Sequence, residues 1–194
     1  MSHPAGKRWI PVVALAVLLL AYSAVIVAYL APRRSIQNLD FWYHISLGER
    51  LQVSEPETLV DGLYPLGYPL LLRLATEGGI DALRVGQFLS WAGGVFALGA
   101  LFSLVYSLTD SVWMAAAGAL LLANGQFLFH ATYEGNDLLA AGLQAASLAA
   151  LCYALSDRAS SRPKLLLGLS SLLLGFAYLT RYTALILLPI ALFC

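Results

Sequence analysis

The chain has 194 residues, 60% of them apolar and 11% charged, with a mean hydropathy of +0.76 and 11 basic residues balanced by 11 acidic ones. A charged share so far below the usual ~25% excludes a soluble globular domain or a disordered tail. The absence of net charge excludes a protein that gathers nucleic acid through a basic field. Cys152 and Cys194 both lie in apolar runs and make neither a disulfide framework nor a zinc site with their neighbours. What remains is an all-α, polytopic transmembrane helical bundle of about five to six spans, a single transmembrane domain over 1–194.

The first span is Trp9–Ala31, 23 residues without a charge, preceded by Lys7 and Arg8. It is too long for the apolar core of a signal peptide, roughly 7–15 residues, and is read as a retained helix. The connection that follows, 32–84, is the first external loop and carries its own pattern. Between Asn38 and Leu51, the residues Leu39, Tyr43, Leu47 and Leu51 recur at helical spacing beside Trp42 and Ile45, which predicts an amphipathic helix on the bilayer surface. Gly62–Pro69 is turn chemistry, and Pro69–Thr76 predicts a short helix with proline at its first position. Val85–Ser107 is the second span. Val112–His130 is the third, interrupted by Asn124, Gly125 and Gln126, and Leu138–Leu155 is the fourth. Leu165–Cys194 is a 30-residue apolar run broken once, at Thr180-Arg181-Tyr182. About 45 Å of helix is too much for one upright span, so the run predicts either two short spans meeting at Arg181 or one tilted helix. Gly93 with Ala97, and Gly168 with Ser171 and Gly175, are spaced for close helix packing.

With the N-terminus cytoplasmic, the inner side carries five basic and two acidic residues and the outer side six and nine. The basic pair Lys7-Arg8 and the short loop Asp157–Lys164 support that orientation. Asp40, Glu134, Asp137 and Arg181 then converge on the external face from three separated segments. Charges near hydrocarbon are costly and face a cavity or a partner, so the four are a candidate site. Each also has a plainer reading. Asp40 suits a first helical turn, and Asp137 a helix start after Asn136. Glu134 suits a loop, and Arg181 suits snorkelling to the headgroups. His130, Glu134 and Asp137 are spaced to share a helical face, where they would ligate a divalent metal ion.

Three stretches together resemble the N-terminal portion of GT-C-type, polyprenyl-phosphate-sugar-dependent glycosyltransferases, the protein O-mannosyltransferase and aminoarabinose transferase group (glycosyltransferase family 39 and relatives). They are Asp40-Phe41-Trp42-Tyr43-His44, leading to Gly48; Asp61-Gly62-Leu63-Tyr64-Pro65-Leu66-Gly67-Tyr68-Pro69; and Gly175-Phe176-Ala177-Tyr178-Leu179-Thr180-Arg181-Tyr182-Thr183-Ala184. Glu134 and Asp137 fall where that family has its second external acidic motif. The resemblance covers essentially the whole chain, although family members are much longer, so the chain reads as truncated at its C-terminus. It implies an integral protein of the plasma membrane that transfers a sugar from a polyprenyl-phosphate donor to a hydroxyl of a lipid, glycan or protein acceptor, with no nucleic acid involved. It implies Asp40 as catalytic base and Arg181 as the lipid-phosphate ligand. Glu134 and Asp137 would orient the acceptor or hold a divalent ion. A non-catalytic membrane scaffold or inactive fragment would need none of these charges. A transporter would place charges at the midplane between paired halves.

Overall fold

A computed structural model describes residues 9–30, 38–51, 64–156, 163–187 and 189. Lys7 and Arg8, the rest of the first loop with Asp61–Leu63, the 157–162 segment and the end of the last apolar run lie outside them. The described residues form eight α-helices and no strand. In chain order these are α1 (Ile10–Leu30), α2 (Leu39–Arg50), α3 (Gly67–Glu77), α4 (Ala82–Thr109), α5 (Val112–Leu122), α6 (Gly125–Ala131), α7 (Asp137–Leu155) and α8 (Pro163–Thr180), followed by a 3₁₀ turn, Tyr182–Ile186. The helices α1, α4, α7 and α8 are long and apolar enough to cross a membrane, and α5 with α6 makes a fifth, broken span bent by 70°. The protein is an all-α polytopic bundle.

The helix boundaries have local causes. Asp81 caps α4, its carboxylate accepting from the Leu83 N–H at 3.2 Å, so the helix begins three residues before the expected Val85. It ends at Asp110, which takes a left-handed conformation (φ 52°) that Asp tolerates better than most side chains. The bend between α5 and α6 sits at Asn124, whose side-chain oxygen accepts from the Phe127 N–H at 3.1 Å and starts a new helix where the old one would continue. At the last apolar run the helix stops at Thr180. Arg181 is extended, and the chain resumes as the 3₁₀ turn, so the single tilted helix is not the solution adopted.

The spanning helices pack in the order α1, α4, α7, α8, with α5 against α1 and α4. Gly93 of α4 and Gly142 of α7 let the two backbones meet. A Cβ on Gly142 would overlap the Gly93 backbone, and one on Gly93 would overlap the backbone of Leu138 and Leu139. The α7–α8 contact is tied by buried serines, with Ser147 Oγ donating to the Ser170 carbonyl at 2.8 Å and Ser170 Oγ to the Ser147 carbonyl at 2.9 Å. Gly168, Ser171 and Gly175, expected to pack, lie exposed on the other face of α8, with nothing near a Cβ on either glycine. The serine one position away from the predicted stripe decided which face turns inward.

Helices α2 and α3 pair across one end of this bundle. The buried face of α2 is Phe41, His44, Leu47, Gly48 and Leu51. Of the stripe expected to lie on the bilayer, Leu47 and Leu51 are buried against the protein while Leu39 (85%) and Trp42 (57%) stay exposed, so only part of it faces away from the bundle. The cause is tertiary. Gly86 of α4, with no side chain, leaves the space that the Phe41 ring fills. Helix α3 starts at Gly67 rather than Pro69, because an N–H is dispensable anywhere in the first turn. A Cβ at Gly67 would overlap the Leu179 backbone, which brings α3 against the end of α8.

Candidate functional site

The antiparallel course of α7 and α8 puts the start of one beside the end of the other, and α2 begins at the same place. Asn38 joins α2 to the α6–α7 connection, its Oδ1 accepting from the Asp40 N–H at 2.9 Å while its Nδ2 donates to the Glu134 carbonyl at 2.8 Å. Asn136 joins that connection to α8, donating from Nδ2 to the Thr180 carbonyl at 2.9 Å. Ser90 of α4 supports the connection from behind, its Oγ donating to the Tyr133 carbonyl at 2.6 Å. Held this way, Asp40, Asp137 and Arg181 line one polar cavity of about 250 Å³ together with Asn38 and Asn136. Tyr64 and Pro65 form one wall and Tyr182 and Thr183 another.

Arg181 Nη1 and Asp137 Oδ1 form an ion pair, with the side chains 44% and 53% exposed. Both charges are favoured by their own helices, the carboxylate at the N-terminal end of α7 and the guanidinium at the C-terminal end of α8. A pair this exposed stabilises the fold by at most about 1 kcal/mol. Its consequence is geometric: Nη1 is held by Asp137, and the other guanidinium donors make no side-chain ion pair among the described residues. Asp40 is exposed in the first turn of α2, with no ion-pair partner among the described residues.

Beneath the cavity floor the chemistry changes. His44 is 1% exposed and Tyr68 is fully buried. The imidazole lies edge-on to Tyr64 and Tyr68, with ring centroids at 4.9 and 5.0 Å. Burial lowers the His44 pKa to about 4; the nearby Asp40 charge opposes this shift and Arg181 adds to it. Burial raises the Tyr68 phenol, with Glu134 adding to the rise. His44 Nδ1 and the Tyr68 hydroxyl make no hydrogen bond among the described residues.

Of the residues singled out from the sequence, Asp40, Asp137 and Arg181 come together. Glu134 does not join them in the cavity, because its side chain is fully buried toward Gly86 of α4. His130 sits on α6, hydrogen-bonded to Gln126 at 3.1 Å, and lines a separate groove of about 420 Å³ with Asn124 and one edge of Asp137. Among the described residues no three His, Cys, Asp or Glu side chains gather as metal ligands. With Glu134 buried toward α4 and Asp137 engaged by Arg181, His130, Glu134 and Asp137 do not converge on one point in this structure. Asn136, at the N-cap position of α7, makes no side-chain capping bond and serves as the cross-tie to α8, while Asp137, expected at the helix start, lies in the first turn. Asn38 has no role in the sequence reading, and Tyr64, Tyr182 and Thr183 enter it only as parts of the stretches that carry the resemblance, without an assigned role. Asn two residues before Asp40 was the one available signal, since Asn is a preferred helix cap.

Compared with known proteins, the chain matches no family model, no curated protein and no solved structure.

Proposed function

We propose that this protein is a membrane glycosyltransferase, moving a sugar from a polyprenyl-phosphate donor to an acceptor hydroxyl on the external face of the plasma membrane, with its N-terminus cytoplasmic. The observation that carries the reading is the polar cavity itself. Asp40, which has no ion-pair partner among the described residues, and a guanidinium held by a second carboxylate meet at the end of an apolar bundle, where a lipid-borne substrate presents its headgroup. Charges at one end of the helices favour this over a transporter, whose charges belong at the midplane.

In this reading Asp40 takes the acceptor hydroxyl's proton as the oxygen attacks the anomeric carbon. The new carbon–oxygen bond forms on the face opposite the departing phosphate, and the sugar is inverted. A positioned carboxylate base contributes about 10²–10⁴-fold. The leaving polyprenyl phosphate keeps the electrons of the broken bond, and the Arg181 guanidinium meets its charge. Asp137 positions Arg181. Donor lipid diffuses in the bilayer, which accounts for a site built on membrane helices.

Binding of a polyprenyl-phosphate sugar to the purified protein tests this reading. Arg181→Leu is expected to weaken binding by at least about tenfold, the scale of one charge-assisted hydrogen bond. Unchanged donor affinity in a correctly inserted variant would reduce Arg181 to a headgroup anchor and remove the main support for the reading.

A further inference from the structure

On the other side of α4 lies a second cleft, between that helix and α1. Arg84, Gln87, Phe88 and Trp91 of α4 follow one another at spacings of three, one and three residues and so share a helical face. Ile26 and Leu30 of α1 stand opposite, and the groove between the helices holds about 370 Å³. Its lining surface is almost wholly apolar, with Arg84 and Gln87 at one end. That end is the face of the membrane carrying α2 and α3, since Gly86, two residues from Arg84, packs against Phe41.

The polar end is incomplete by its own chemistry. Gln87 is 3% exposed, and its Oε1 accepts from Arg84 Nη1 at 3.1 Å. Its Nε2 has no acceptor among the described residues, although a buried amide donor needs one. Arg84 is exposed and makes no ion pair among the described residues; its one hydrogen bond there goes to Gln87. An occupant therefore needs an acceptor and a negative charge at one end and a hydrocarbon chain at the other.

We propose that this groove binds one anionic phospholipid of the surrounding leaflet. A phosphate oxygen accepts from Gln87 Nε2, Arg84 balances the net charge, and an acyl chain lies along Ile26, Leu30, Phe88 and Trp91. A zwitterionic choline headgroup suits the site less, because it brings a second cation beside Arg84. The lipid joins α1 to the bundle beside two direct polar ties, Trp91 Nε1 to Ser23 Oγ at 3.0 Å and Tyr22 hydroxyl to the Trp91 carbonyl at 3.3 Å. This inference does not rest on the sugar-transfer reading.

Native mass spectrometry of the detergent-purified full chain, titrated with phosphatidylglycerol or phosphatidylcholine, tests it. The wild type is expected to retain one phosphatidylglycerol with a preference of at least about fivefold, the scale of one Arg near a membrane surface. Arg84→Gln abolishes the preference, and Gln87→Glu, which replaces the donor with a negative charge, releases the lipid. Arg73→Gln, on the same membrane face, leaves retention unchanged. Equal retention of the two lipids by the wild type, or retention of phosphatidylglycerol by both groove variants, overturns the proposal. So does one-for-one displacement of phosphatidylglycerol by polyprenyl phosphate, which would assign the groove to the donor.

Discussion

His44 shows how the cavity floor differs from the cavity. In the unfolded chain an imidazole titrates near pH 6.5, while in the fold burial holds it to about 4. Between these values the unfolded state binds a proton that the folded state refuses, so stability falls as pH falls through this window. The loss is on the order of 3 kcal/mol from a shift of this size. Thermal unfolding of the wild type should therefore drop between pH 6.5 and 4 more steeply than that of His44→Leu, and parallel pH profiles would contradict it. Individual charges were legible in the sequence because ionisable residues in apolar runs are conspicuous, and Asp40, Asp137 and Arg181 do share a cavity. Glu134 looked equivalent but is buried, because a five-residue connection gives no sign of which side chain turns inward. Asn136 ties to a carbonyl 44 residues away, a partner no local pattern names.

Helices carry the positions of these residues, and two glycines decide how closely α4 and α7 approach. Gly142→Leu should force the helices apart at a cost of about 1–3 kcal/mol or more, whereas Gly168→Leu on the exposed face of α8 should be near neutral. Comparing the detergent midpoints of the two variants checks this, and equal destabilisation would contradict the α4–α7 contact. Span positions were readable within three residues because uninterrupted apolar length is itself the signal. The breaks at Asn124 and Arg181 were readable because polar residues interrupted the runs. The inward faces of α2 and α8 were not readable. Almost every position on α8 is apolar or small, so hydropathy selects no face, and buried serines on α7 and α8 selected it instead. On α2 the choice belonged to Gly86, more than thirty residues downstream.

For the molecule as a whole, the account requires the cavity end of the bundle to face outward. Glu77, the last residue of α3, lies at that end and Lys164, at the start of α8, at the other. In a background with Cys152 and Cys194 replaced by Ala, Glu77→Cys should react with an impermeant thiol reagent added outside and Lys164→Cys should not. The reverse pattern would turn the site toward the cytoplasm. The most direct measurement of the central claim is sugar transfer from polyprenyl-phosphate sugars by the protein in proteoliposomes, wild type against Asp40→Asn. The substitution keeps the side chain's shape and removes the base, and Arg181 still holds the phosphate. The account predicts turnover reduced by at least about 10²-fold with donor affinity nearly unchanged. A folded Asp40→Asn protein that binds donor and transfers sugar at the wild-type rate, or a wild type that transfers none, would contradict it.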